Sequence, residues 1–484
     1  MSLSTHEAWQ IADAVNNSEL NPLDIAEEFI TRIDAQNDKL NALLFWDSHT
    51  ARKSIDRQWQ CTLEMKKQGK SLRLAGVPVV VKDNILVKDH VKTCASRILE
   101  GFKSPYDATV VQKLRQEGAL ILASANMDEF AMGSSNENSA YGPVRNPMST
   151  DFVAGGSSGG SAASVAASFA PVALGSDTGG SIRQPASFCG LVGLKPSYGA
   201  VSRFGLVSYA SSFDQIGPIT RTVRDTALLC DILRGHDKRD SSSVEQEYQD
   251  IEPSLPASKS LDGMTIGVVD ECFQEGLDAG VKGSVDSAIE DLEALGAKIK
   301  RVSIPSVSYG VSIYYILTSS EASSNLARYD GVRFGKRMES NKLQSMYEES
   351  RSQGFGKEVK QRIMLGTYAL SSGYYDAYYQ KASRLRESMT REVNACFKEV
   401  DLLLSPTSPQ TASKIGEVID DPMTMYLRDV YTIIANLCKI PAISVPCGVD
   451  ELGLPIGLQL MSPRFKEDQL LKGAFAYEQF CKSK

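Results

Sequence analysis

From residue 77 onward, short apolar runs alternate with helical stretches, and this alternation limits the fold more than any other feature of the chain. Residues 77–81 form the first convincing strand. Residues 110–117 then read as a helix, 119–123 as an apolar strand, 161–169 as a helix of small residues and 172–174 as a strand. Further on, 265–269 reads as a strand, 285–295 as a helix stopped by Gly296, and 299–304 as another strand. Short apolar runs without a polar face suit strands buried on both sides. Strand–helix–strand order with short connections predicts an α/β fold, with a mixed, mostly parallel central sheet covered by helices on both faces.

Upstream of the first strand the chain reads as helices. Ser4 and Glu7 have the spacing of a capping box, and Asn21 followed by Pro22 is a cap with proline at the first helical position. Ile25, Ala26, Phe29, Ile30 and Ile33 recur at helical spacing and give one apolar face. A basic, polar stretch at 66–71 separates this region from the strands. Residues 235–263 are polar, rich in serine and carry two prolines, which reads as a surface excursion within one domain. The 350s to 380s form a tyrosine-rich helical region.

Composition narrows the function classes. With 42% hydrophobic and 23% charged residues in 484, the chain is of the soluble globular type with a large core. No apolar run approaches the ~18 residues of a membrane span. The first residues lack the basic-then-apolar pattern of a signal peptide, so the cytoplasm is the expected location. A net charge of −7 argues against a chain that grips phosphate backbones by itself, and any nucleic acid is expected on a partner. Nine cysteines without a CxxC pair and four isolated histidines point to neither a disulfide framework nor a metal site.

Residues 155–205 are dense in glycine and serine. Glycine permits unusual backbone angles and close approach, so two such loops point to main-chain N–H groups aimed at a ligand. Phosphate is one candidate. Gly175 and Gly180 have the glycine spacing of a phosphate loop, but Ser181 stands where the lysine is needed, and no lysine follows 155–160. An oxyanion is the other candidate, since backbone amides often hold the negative oxygen of a tetrahedral intermediate. Asp177-Thr178-Gly179-Gly180-Ser181 sets several amides beside a serine hydroxyl. A serine nucleophile needs a base, and one assembled from afar would serve. A lysine qualifies if burial keeps it neutral. Lys82 ends the apolar run 76–81 and is followed by Asp83 and Asn84. On this segment alone it is either a lysine snorkelling at a strand exit or a buried base.

Taken together, these residues resemble the amidase signature family, whose glycine- and serine-rich core is matched by residues 155–195. The family's lysine and two serines fall on Lys82, Ser157 and Ser181, spaced 75 and 24 positions apart. The resemblance implies a single large amidase-signature domain over 71–484, with its catalytic core at about 76–225 and the helical residues 1–70 packed on it. It implies Ser181 as nucleophile, Ser157 after a cis peptide bond as the bridge, and Lys82 as the base that later helps deliver a proton to departing ammonia. Thr178, Gly179 and Gly180, with Ser181, would form the oxyanion hole, braced by Asp177 and Arg183. Ala154 stands where many members have proline, which would stiffen entry to the loop.

Residues 126–133, 202–225, 321–335, 355–379 and 453–460 resemble one branch in particular, the A subunits of tRNA-dependent amidotransferases. In that branch the amidase hydrolyses glutamine and ammonia travels to a B subunit. The B subunit contacts the tRNA and activates tRNA-linked glutamate with ATP and magnesium, and a small C subunit wraps the amidase. Glu-tRNA(Gln), and in many bacteria Asp-tRNA(Asn), is the acceptor. No cofactor is expected in this chain. By the same resemblance Arg362 would hold the glutamine α-carboxylate and Asp429 its α-ammonium, as charge complementarity requires. Tyr314 is a further match, with Tyr315 beside it. Two other readings compete: a free-standing amidase acting on aryl or aliphatic amides, and a catalytically silent scaffold, which the presence of all three triad residues disfavours.

Overall fold

The apolar runs fold into strands of one sheet. In chain order the strands are β1 (Leu43–Leu44), β2 (Pro78–Lys82), β3 (Leu120–Ala125), β4 (Arg145–Asn146), β5 (Ser149–Val153), β6 (Val172–Asp177), β7 (Val192–Lys195), β8 (Gln215–Thr220), β9 (Thr265–Val269), β10 (Lys298–Val302), β11 (Leu402–Pro406), β12 (Ala442–Val449) and β13 (Pro455–Met461). The computed structural model describes residues 5–255, 260–417 and 422–484. Eleven strands form one sheet in the order β1-β3-β2-β6-β8-β7-β12-β13-β11-β9-β10, while β4 and β5 make a separate ribbon.

The sheet is mixed, as predicted, but its balance differs from the prediction. Among the described residues four ladders are parallel, β2–β3, β2–β6, β9–β11 and β9–β10. The other six, including all those between β6 and β11, are antiparallel. The reason lies in the connections. A parallel step needs a crossover, supplied by the helices Thr109–Gln116 and Ala279–Ala294 on the two flanks. In the centre β12 turns straight into β13 as a hairpin. The central strands also carry glycine or proline (VGLK, QIGPIT, AISVPCGV, PIGLQLM), which hides them from a reading based on apolar runs.

The N-terminal helices share the core of the strands. Ser4 lies outside the described residues; the helix Ala8–Asn16 is capped by Glu7, whose amide donates to Gln10 Oε1 at 2.9 Å. Asn21 caps the helix Pro22–Leu40 by accepting from the Leu23 amide at 3.1 Å. Its predicted face, Ile25, Ala26, Phe29, Ile30 and Ile33, is buried in the same cluster as Val79, Val81 and Leu120. The stretch 235–263, of which 256–259 lie outside the described residues, is pinned to the core through Asp240, which pairs with Arg203 at 2.8 Å. The tyrosine-rich region comprises the helices Leu343–Gly354, Lys357–Ala369 and Lys381–Cys396 with a π-helical turn at Asp376–Gln380.

Two adjacent parallel strands point their C-terminal ends at one place. Lys82 is the last residue of β2 and Asp177 the last of β6. Crevices at the carboxyl ends of parallel strands are where α/β folds gather ligands. Here the helix Gly310–Asn325 brings Tyr314 against Gly179, and the segment after Asp429 brings Thr432 against Gly180.

Candidate active site

Three chain segments meet at Lys82. Its Nζ lies 2.8 Å from Ser157 Oγ, 2.8 Å from Ser158 Oγ and 3.2 Å from the Ser176 carbonyl. The lysine is fully buried. Burial lowers its pKa to about 7, against the pull of Asp128, Asp177 and Asp214, which favour the charged form. The Gly156–Ser157 peptide bond is cis. The loop is gripped from both sides: the Gly156 amide donates to Gln184 Oε1 at 3.0 Å, and the Ser158 amide to the Ser181 carbonyl at 3.2 Å. That last bond sets the two serine-bearing segments side by side. Ala154 is buried at the loop's entry, and its carbonyl accepts from Cys189 Sγ at 3.5 Å.

The turn from β6 into the helix Arg183–Phe188 is organised by one carboxylate. Asp177 accepts from the Gly180 amide at 2.9 Å, the Ile182 amide at 3.2 Å, and Arg183 Nε and Nη2 at 3.1 and 3.0 Å. Burial would raise its pKa, but Arg183 holds it below the ordinary carboxylate value. Arg183 in turn donates to the Thr432 carbonyl at 2.8 Å and to Asn436 Oδ1 at 2.6 Å. Both residues therefore brace the turn, as the resemblance implied.

The expected oxyanion hole needs one correction. The Gly180 amide is already given to Asp177, so Gly180 shapes the turn and is not a free donor. Its φ is +143°, and a Cβ there would stand 2.2 Å from Thr432 Oγ1. The amides of Gly179 and Ser181 carry no hydrogen bond among the described residues. Thr178 is fixed through its hydroxyl, which donates to Asp214 Oδ1 at 2.7 Å.

The facing wall carries the predicted binding residues. Tyr314 lies directly over Gly179, where a Cβ would meet its Cζ at 2.5 Å, so the structure brings Tyr314 to the turn that carries Ser181. Tyr315 instead stacks on Tyr426 at 3.8 Å and packs under Arg362 at 5.0 Å. Arg362 is 3% exposed; its Nε donates to Glu358 Oε1 at 2.6 Å and its Nη1 to the Tyr209 hydroxyl at 2.7 Å. Asp429 is buried, and its Oδ1 has no hydrogen-bond partner among the described residues. Burial, then the nearby Asp177, pushes its pKa well above the usual carboxylate value, while Arg362 and Arg183 oppose the shift. Ser158, Tyr209, Glu358, Tyr426 and Thr432 belong to the site and were not foreseen. Glu358 had a signal in sequence, since it stands one helical turn before Arg362.

No group of three or more His, Cys, Asp or Glu among the described residues is arranged to hold a metal ion. What the site offers is a serine hydroxyl, a second serine bonded to a buried lysine of lowered pKa, and backbone amides beside the first. On an α/β sheet this arrangement has the parts that a serine hydrolase with lysine in the place of histidine would need.

The chain belongs to the amidase family, whose model matches residues 24–471. It is 51% identical over 478 residues to the A subunit of glutamyl-tRNA(Gln) amidotransferase from Halothermothrix orenii, covering 99% of this chain and 97% of that one. It is 53% identical over 471 residues to the corresponding protein of Microcystis aeruginosa, covering 97% and 96%. Among solved structures, the glutamyl-tRNA(Gln) amidotransferase A chain of Thermotoga maritima superposes with a TM-score of 0.81 at 40% identity, over 99% of this chain and 95% of that one. The peptide amidase of Stenotrophomonas maltophilia gives 0.83 at 27% identity, over 98% and 96%.

Proposed function

We propose that the chain is the glutamine-hydrolysing component of a tRNA-dependent amidotransferase. It splits glutamine to glutamate and ammonia, and the ammonia is passed to a partner that converts Glu-tRNA(Gln), or Asp-tRNA(Asn), to the amidated form with hydrolysis of ATP. The observation that carries this reading is a buried Asp429, whose Oδ1 has no hydrogen-bond partner among the described residues, within electrostatic reach of both Arg362 and the Asp177 turn. A free amino acid brings a carboxylate and an ammonium; Arg362 offers the first a guanidinium, and an arriving ammonium would favour the charged form of Asp429 that burial opposes. A simple amide needs neither.

Neutral Lys82 takes a proton from Ser157 as Ser157 takes one from Ser181, and Ser181 Oγ attacks the side-chain carbonyl carbon of glutamine. The carbonyl oxygen becomes an oxyanion held by the amides of Gly179 and Ser181, with Thr178 positioned beside them. Collapse of the intermediate breaks the C–N bond, and the proton on Lys82 returns through Ser157 to the leaving nitrogen, giving ammonia and a γ-glutamyl ester on Ser181. Water then attacks the ester with Lys82 again as base, and glutamate departs.

In this reading a B subunit holds the tRNA, ATP and magnesium, a small C subunit wraps this chain, and this chain carries no cofactor of its own. A net charge of −7 agrees with leaving the tRNA to the partner. No helix among the described residues is long and apolar enough to cross a membrane. The test is to purify the chain with its partners and measure glutamate released from glutamine, wild type against Ser181→Ala. Turnover abolished by the substitution is expected. Cleavage of a simple aryl or aliphatic amide without glutamine turnover would leave a free-standing amidase.

A further inference from the structure

Asp128 and Glu129 are neighbours in the chain but serve different parts of the site. The Asp128 amide donates to the Ser157 carbonyl at 3.3 Å, and its carboxylate accepts the amides of Asn136 at 2.9 Å and Asn138 at 3.0 Å. It sits so close beneath the catalytic loop that a Cβ on Gly156 would stand 2.1 Å from its Oδ2. Glu129, 4% exposed, reaches the start of the helix Lys357–Ala369. Its Oε2 accepts the Gly356 amide at 2.8 Å, and its Oε1 accepts the Ser96 hydroxyl.

Gly356 is the N-cap of that helix and has no side chain of its own to cap it. A carboxylate from 227 positions away takes the amide of Gly356 itself, at the end of the helix where negative charge is stabilising. The approach demands glycine, because a Cβ on Gly356 would lie 2.4 Å from Glu129 Oε2. An apolar contact backs the polar one. Phe130, held at φ +49° with Ala131 following at +63°, packs its ring 5.7 Å from that of Phe355, the residue before Gly356. Within two turns of this joint the helix presents Glu358 and Arg362 to the site.

We infer that Glu129 is a positioning residue for glutamine: it anchors the Arg362 helix to the segment that also holds the Ser157 loop, and so sets the distance between the α-carboxylate clamp and the nucleophile. The inference rests on the glutamine reading above. A clamp held out of place binds glutamine more weakly while the groups around Ser181 stay as they are, so the loss is expected in KM. Glu129 acts through Arg362, and this separates it from a residue that only stabilises the fold.

The experiment is steady-state glutamine hydrolysis by the assembled complex. Glu129→Ala is expected to raise KM about tenfold or more with kcat held within about threefold, because the lost interaction is one of binding geometry. Glu129→Gln, which keeps an acceptor for the Gly356 amide, is expected to recover most of that loss. In an Arg362→Ala background, adding Glu129→Ala is expected to raise KM by less than about twofold, the two changes removing one shared function. Should Glu129→Ala not assemble, Ser96→Ala removes the other partner of the carboxylate and is expected to raise KM about threefold. An unchanged KM in a folded Glu129→Ala complex, a fall confined to kcat, or fully additive effects in the double variant would each overturn the inference. A wild type without glutaminase activity would instead overturn the glutamine reading, and this inference with it.

Discussion

Lys82 is suited to act as a base because its surroundings remove the usual reasons for a lysine to be charged. Its hydrogen bonds go to two hydroxyls and a carbonyl, with the carboxylates of Asp128, Asp177 and Asp214 acting only through space. Burial therefore outweighs them and brings the pKa to about 7. The sign follows directly. Below that value Lys82 is protonated and cannot accept, so kcat/KM for glutamine should fall about tenfold per pH unit on the acid side and level off above it. Asp128, also raised to about 7 by burial, interacts with Lys82, so the observed midpoint belongs to the pair. A pH profile of glutamine hydrolysis that stays flat down to about pH 5.5 would sink the lysine-base assignment. Lys82→Arg is expected to be inactive, since a guanidinium stays charged at every working pH. The lysine and the two serines were singled out by resemblance, through the family's spacing along the chain, and the structure brings Lys82 to Ser157 at 2.8 Å. Ser158 and Thr432 were not. Ser158 looks like one more serine in a serine-rich loop, and Thr432 matters only because folding brings it 2.7 Å from the Gly179 carbonyl.

Among elements, the turn between β6 and the helix Arg183–Phe188 has the most exacting construction. Asp177 accepts amides from its own turn and, through Arg183, ties that turn to Thr432 and Asn436 from the C-terminal part of the chain. Both partners of the ion pair are fully buried. Asp177→Asn would leave the Arg183 guanidinium without its counter-charge, which in buried pairs costs about 3–5 kcal/mol. A lower thermal midpoint and loss of activity together are expected; a variant destabilised by less than about 1 kcal/mol would show that the pair is not holding the turn. The helices and outer strands around this turn were readable from periodicity, with 265–269 recovered in full as β9. The central strands were not. Pairing direction depends on which distant segments meet, and runs such as QIGPIT in β8 carry the glycine and proline that ordinarily argue against a strand.

In the molecule as a whole, the N-terminal helices are part of the same core as the catalytic strands. The amides of Ala8 and Trp9 donate to Asp225 at 2.8 and 3.1 Å, fastening the first helix to the helix Val223–Leu233. The joint at Asn41 reaches further in. Its side chain donates to the carbonyls of Tyr141 and Pro143 at 2.9 and 3.1 Å, and its carbonyl accepts from Asn126 Nδ2 at 3.0 Å. The neighbouring Ala42 carbonyl stands where a Cβ on Gly160 would be only 2.5 Å away, next to the loop that carries Ser157. Removing residues 1–40 would strip Ile25, Phe29, Ile30 and Ile33 from the cluster that contains Val79 and Val81. At roughly 1.5–3 kcal/mol for each buried side chain, those four alone match the whole stability of an ordinary domain, about 5–15 kcal/mol. The truncated chain is therefore expected to be insoluble or unfolded and unable to assemble with its partners. The intact chain is expected to melt in one transition by calorimetry. A truncated chain that stays soluble and hydrolyses glutamine would show that the helices are an appendage and that the strands hold the site unaided.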